Sequence, residues 1–208
     1  MPRLIDMEGV IQHYGSLAVA NYTRWDKAID ENALEAIDKS DLADRREIIR
    51  SWLERLSGFQ GFSAAQRNAA ATAILEWADA RRPYRRLDKI TALSDAHGSM
   101  MQACSDALDN PRDLTSLASK ALWLCYPEDV PIFDSIAHRA LCVISKLEGD
   151  MPPVNDGHGS RYGNFIHPWT TLYDRYSAAL RSVDMESCKH PVRIFDGILL
   201  CIGANTIG

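Results

Sequence analysis

Apolar positions along the chain recur at intervals of three and four, so the pattern predicts helices throughout and no half-buried strand of period two. Ser16 to Ala28 reads as a helix with Leu17, Ala20 and Trp25 facing inward, and Ala33 to Ile37 as a short helical piece. Ser40 stands where a cap would open a stronger helix, whose Leu42, Ile48, Ile49, Trp52, Leu53 and Leu56 share one broad face before Gly58 ends it. Ser63 is the next cap. The alanine-rich helix behind it, Ala64 to Ala80, turns Ala70, Ile74 and Trp77 to one side and stops before Arg82-Pro83, because a residue ahead of proline disfavours the helical backbone.

Leu87 to Leu93 and Ser99 to Leu108 read as two further helices, and Asn110-Pro111 as a break. Leu114 to Leu124 is a strongly apolar helix closed by Tyr126-Pro127. Pro131 begins a short extended link into a helix over Ser135 to Leu147. Glu148 to Gly163 is rich in glycine and proline and reads as a loop, followed by an aromatic helix from Trp169 to Ser182 and a last helix from Pro191 to Cys201. No internal repeat is present. The pattern therefore makes an all-α fold.

The 208 residues, 46% hydrophobic and 25% charged, suffice for one compact unit with a core that needs neither disulfide nor metal. A net charge of −5 argues against a protein that binds nucleic acid over its whole surface. It leaves room for a local patch, and Arg81, Arg82, Arg85, Arg86 and Lys89 form one. That run is either a solvated helix end, favoured by the dipole, or a strip of phosphate contacts whose binding falls with salt. Cys104, Cys125, Cys142, Cys188 and Cys201 are odd in number, widely spaced and without a Cys/His metal pattern, so they read as buried thiols in a reducing compartment. No metal and no cofactor is expected. The longest late apolar stretch, Ile194 to Ala204, is interrupted by Asp196, Gly197 and Gly203, and the N-terminus MPRLIDMEGVIQHYG lacks the layout of a signal peptide. The expectation is a soluble, cytoplasmic protein.

The stretch richest in chemistry is LTSLASKALWLCYPEDVPIFDSIAHRAL, Leu114 to Leu141. Asp134 opens its second helix. A carboxylate there caps exposed N–H groups, which is a sufficient structural reason for it. The pattern around it carries more: Pro131, Ile132, Phe133, Asp134, Arg139 and Leu141 resemble the segment that follows the hairpin in helix-hairpin-helix DNA glycosylases. RYGNFIHPWTTLYDRY and VRIFDGILLCIG resemble the C-terminal region of small bacterial proteins with an 8-oxoguanine-glycosylase-like fold, so the likeness spans roughly residues 110 to 203. Two departures stand out. The family's glycine-rich hairpin has no counterpart, its place being taken by Pro111-Arg112-Asp113-Leu114-Thr115-Ser116-Leu117-Ala118, and the spacing from Lys120 to Asp134 is shorter than the family's lysine-to-aspartate gap.

The resemblance implies a two-lobed helical fold with a degenerate hairpin. A central lobe at about 40 to 140 would face a second lobe made of 1 to 39 with 141 to 208, with a cleft between them. It implies that Asp134 is the catalytic carboxylate and that Lys120 is a nucleophile, the latter against the alternative that this lysine extends to solvent from one side of its helix. Trp123, Tyr126, Phe133, His138, Tyr162, Phe165 and Trp169 are candidates to hold a base flipped from the stack, with core packing as the alternative for the aromatics. The glycine-rich loop with His158 that ends at Arg161 is a further candidate to reach DNA. The expected partner is double-stranded DNA bearing a damaged or modified base, excised for repair or for defence against phage with modified DNA. Two other readings remain: a non-catalytic DNA- or protein-binding module of the same fold, favoured by the acidic balance and missing hairpin, and a helical interaction protein.

Overall fold

The computed structural model describes residues 6–39, 41–84, 86–87, 89–108, 113–152, 161–183 and 189–205. Among these residues every regular element is helical. In chain order they are α1 (Met7–Asn21), a π-helical turn (Tyr22–Asp26), α2 (Lys27–Ile37), α3 (Leu42–Arg55), α4 (Ala64–Asp79), α5 (Ile90–Leu108), α6 (Thr115–Cys125), α7 (Ser135–Glu148), α8 (Arg161–Arg175), α9 (Ser177–Ser182) and α10 (Pro191–Asn205). No helix is long and apolar enough to cross a membrane among the described residues.

The helices gather into two compact units, one made of Ala28–Val130 and the other of Met1–Lys27 with Pro131–Gly208. These edges differ from those expected at 40 and 140, and position 140 falls inside α7. The Ala28–Val130 unit takes in α2 through α6, with α4 packed on both α3 and α5, and α6 on α5 and α3. Its core is apolar, with Ile49, Trp52, Leu53, Ile74, Leu75 and Trp123 each 1% exposed or less. Trp52 and Trp123 stack at 5.8 Å with rings 9° apart. Three buried polar groups are bonded, as burial demands. Trp52 Nε1 donates to Asp30 Oδ1 (2.7 Å), Arg45 donates to Asp79 and to the Ile37 carbonyl, and His97 Nε2 lies 3.0 Å from the Thr115 carbonyl oxygen. Burial lowers the pKa of His97, which favours the neutral ring.

In the other unit α10 packs against α1 and α7, and α8 against α7 and α9. Close approach is made possible by small residues. A Cβ at Gly15 would lie 2.5 Å from Val183 Cγ2, and one at Gly197 would lie 3.3 Å from the Ala18 Cβ.

Several local expectations are corrected. The first helix begins at Met7 rather than Ser16, and it buries Met7, Ile11, Gly15, Ala18 and Val19. Leu17 and Trp25, expected inward, are 44% and 51% exposed, and Ala20 is exposed as well. The inward face is chosen by glycine and alanine, which admit a close neighbour, and weighting by large side chains misses it. Leu42 is likewise 49% exposed. Asp41 caps α3 by accepting the Asp44 N–H, while the expected cap, Ser40, lies outside the described residues. Ser63 forms a reciprocal capping box with Gln66. The two helices expected around residues 87–108 are one, α5, running through Gly98 because buried His97 and Met100 anchor it on either side. The aromatic helix starts at Arg161, not Trp169, and carries Pro168 in its interior; a missing N–H there is tolerated when packing is strong.

Candidate active site

Within the unit of α1 and α7–α10, the geometry around Asp134 is built residue by residue from the turn that precedes it. Proline at 131 disfavours the helical basin for Val130 before it, and Asp134 itself is extended, at φ −134° and ψ 141°. Each residue ahead of it is held. Tyr162 donates its hydroxyl to the Pro131 carbonyl (2.9 Å). The Ile132 N–H donates to Asp196 Oδ2 (2.8 Å). The Phe133 ring meets Phe165 edge-on at 5.2 Å, with the Arg161 guanidinium 5.1 Å from its centroid. Asp134 then caps α7: Oδ1 accepts the Ile136 N–H (2.7 Å) and the backbone carbonyl accepts the His138 N–H (2.8 Å). The carboxylate is half-buried rather than enclosed. His138, also half-buried, brings its ring to 5.6 Å from Phe133.

Behind this turn sits a residue the sequence reading passed over as a mere interruption of an apolar run. Asp196, on α10, is 2% exposed, and its Oδ1 accepts the Trp169 indole N–H (2.8 Å) while Oδ2 holds Ile132. Burial pushes its carboxyl up to about 7, against the opposing pull of the Ile132 N–H, Arg193 and the Trp169 N–H, with Asp134 adding to the rise. The signal that could have found it is a lone acid among Ile194, Phe195, Ile198 and Leu199. A carboxylate on an apolar face needs partners and therefore marks a built polar site. Tyr162 is fully buried, and burial holds its phenol well above the usual range, so it stays a neutral donor.

Comparison with family models, with curated proteins and with solved structures finds no match. The resemblance of this segment to glycosylases therefore rests on its own residues. Among the described residues no group of three or more His, Cys, Asp or Glu side chains is placed to hold a metal ion.

The remaining candidates fall as follows. Phe133, Tyr162, Phe165 and Trp169 surround the Asp134 turn as core, none more than 3% exposed. Trp123 and Tyr126 belong to the Ala28–Val130 unit and are core there, Tyr126 against Tyr84 at 5.3 Å. Lys120 is in that unit as well. It is 5% exposed, and its Nζ donates to Ser116 Oγ (2.6 Å), one turn earlier on α6, so the side chain does not extend to solvent. The basic run is more internally engaged than its sequence suggests. Arg81 lies 4.1 Å over the Trp77 ring and donates to Ser99, Arg82 pairs with Asp38 (3.1 Å), and Arg86 with Asp129 (2.9 Å). Lys89 is exposed, and Arg161 is exposed at the start of α8. Arg85 and His158 lie outside the described residues. Cys104 and Cys125 are buried thiols that burial pushes up to about 12, which leaves them inert as nucleophiles; Cys188 lies outside the described residues.

Proposed function

We propose that the protein is a DNA glycosylase that cleaves the N-glycosidic bond of a damaged or modified base flipped from the duplex, with Asp134 as the catalytic carboxylate. The observation that carries this reading is the construction of the Asp134 turn. The residues at 131, 132 and 133 are each held by a partner on α8 or α10, yet the carboxylate they lead to is left partly exposed at a helix start. A cap alone needs one side-chain oxygen and no such support.

As the glycosidic bond breaks, positive charge grows on the sugar, and a carboxylate beside it stabilises that charge electrostatically. Water then bonds to the anomeric carbon, the base leaves with the electron pair of the broken bond, and Asp134 takes the proton released by the water. Lys120 would add a lyase step. The neutral amine is the form able to attack carbon, and the side chain of Lys120 is buried and oriented by its bond to Ser116. The cap bond of Asp134 favours one other reading, a DNA- or protein-binding module of the same fold without chemistry.

Asparagine caps helices as well as aspartate does, so Asp134→Asn separates chemistry from folding. Duplexes carrying 8-oxoguanine, uracil, alkylated bases or hydroxymethylated and glucosylated cytosine are incubated with each form, and abasic sites are counted after hot alkali. The expected result is release by the wild type and a loss of at least about 100-fold in Asp134→Asn. Borohydride trapping lost in Lys120→Ala adds the lyase. Salt-dependent DNA binding without release from any duplex moves the assignment to the binding module.

A further inference from the structure

We propose that Asp196 is a positioning residue for Asp134: by accepting the Ile132 N–H and the Trp169 indole N–H together, it fixes the extended turn that delivers the Asp134 carboxylate to the start of α7. This rests on the reading of Asp134 as the catalytic carboxylate. Both oxygens of Asp196 are used, one by the backbone two residues ahead of Asp134 and one by the side chain of α8. An amide in its place offers one acceptor and one donor, so it can satisfy only one of the two N–H groups and must oppose the other. A residue there only to fill volume would be apolar, as its neighbours Phe195, Ile198 and Leu199 are.

The ionised carboxylate is the form that accepts two N–H groups. Below about 7 it takes up a proton and turns one oxygen into a donor, so the grip on Ile132 is complete above that pH and loosens beneath it. The charged and titratable groups that bear on Asp196 are Arg193 on its own helix, which also pairs with Asp26 (3.4 Å), Asp134 at the start of α7, and the Tyr162 phenol on α8.

The test uses the full chain, labelled with nitrogen-15, and follows the Ile132 amide and the Trp169 indole resonances with pH. The expected result is that both move together with a midpoint near 7 and that neither moves in Asp196→Asn. A wild-type Ile132 resonance flat across that range overturns the proposal. With the duplex that the wild type cleaves fastest, Asp196→Asn lowers kcat on the order of 10- to 100-fold with KM little changed, and removes the acid limb of the pH profile. Unchanged kcat and an unchanged profile overturn the proposal, since a residue that only fills space is replaced by its isostere without such loss. Trp169→Phe covers the case in which the asparagine variant does not fold. It leaves the Ile132 bond in place, and its Ile132 midpoint moves above the wild-type value because one donor to the charged form is gone. A midpoint that stays or falls counts against the proposal. No base release by the wild type, with the Ile132 titration intact, overturns the glycosylase reading and leaves the coupling of Asp196 to the turn standing.

Discussion

Each unit buries one aspartate against one tryptophan, and the two pairs behave differently. In the Ala28–Val130 unit Asp30 accepts the Trp52 indole, and Trp52 in turn stacks on Trp123 of α6, the helix that carries Lys120. In the other, Asp196 accepts the Trp169 indole and also takes the backbone N–H of Ile132 itself. Support for α6 thus passes through a ring stack, which is strong but tolerant of sliding. Support for the Asp134 turn passes through a hydrogen bond, which is directional and changes with protonation. A helix that must hold a buried lysine needs rigidity of packing; a turn that must aim a carboxylate needs a fixed backbone.

The largest effect that sharpens this contrast comes from removing the indoles. Trp52→Ala and Trp169→Ala are each expected to cost about 3–5 kcal/mol, read as a lower urea midpoint, since both empty a core site. Their phenylalanine counterparts should differ. Trp52→Phe retains a ring against Trp123 and loses one hydrogen bond, about 1 kcal/mol. Trp169→Phe loses a similar amount but shifts a titration, because its N–H helps to keep Asp196 ionised. If Trp169→Phe leaves the titration of Asp196 where it is, the indole does not support the charged carboxylate.

This contrast also explains how much could be read from the sequence. Helical periodicity locates α4, α6 and α7 closely, because their caps and breaks are local chemistry: the Ser63 capping box, Asp134 at the start of α7, and the prolines at 127 and 131. Asp134 stood out for the same reason. What escaped depends on partners distant in sequence. Asp196 is sixty-four positions from Ile132 and Asp30 twenty-two from Trp52, and no local pattern links them. The face of α1 was misjudged because Gly15 and Ala18 are buried by what packs on them, Val183 and Gly197, rather than by their own hydrophobicity. The basic run is exposed as its sequence suggests, but its pairing is not legible there, because Asp38 and Asp129, which pair with Arg82 and Arg86, lie far along the chain.

Next in size is the pH dependence of stability. Asp196 titrates at about 7 in the folded protein against an ordinary 3.8, so its folded pKa is raised and the native state holds the extra proton between these values. Stability from this group therefore falls as pH rises from about 4 to 7, by up to about 1.4 kcal/mol per pH unit, and is level above. The stability difference between Asp196→Asn and wild type should move in favour of the variant across that window. Global stability and the local grip on Ile132 then run in opposite directions with pH, since protonation relieves burial of charge while it weakens the acceptor. A difference that is constant from pH 4 to 8 would show that Asp196 is solvated rather than buried.

The smallest effects come from two helical glycines, one in each unit. A Cβ at Gly203 on α10 would collide with the Ile136 carbonyl and Cγ2 in the first turn of α7, just beyond Asp134. Backbone cannot yield as a side-chain end can, so Gly203→Ala should cost about 1–3 kcal/mol and disturb the resonances of the Asp134 turn. Gly98 in α5 has nothing within 4 Å of the same position, so alanine there meets open space and adds helix propensity. Gly98→Ala is expected to raise stability by about 0.5–1 kcal/mol and leave those resonances where they are. The pair asks whether tight tolerance is confined to the α10–α7 contact that frames the carboxylate. Equal losses at both positions would mean that the Ala28–Val130 unit is built as closely around its own helix contacts, and that the precision attributed to the Asp134 turn is general to the chain.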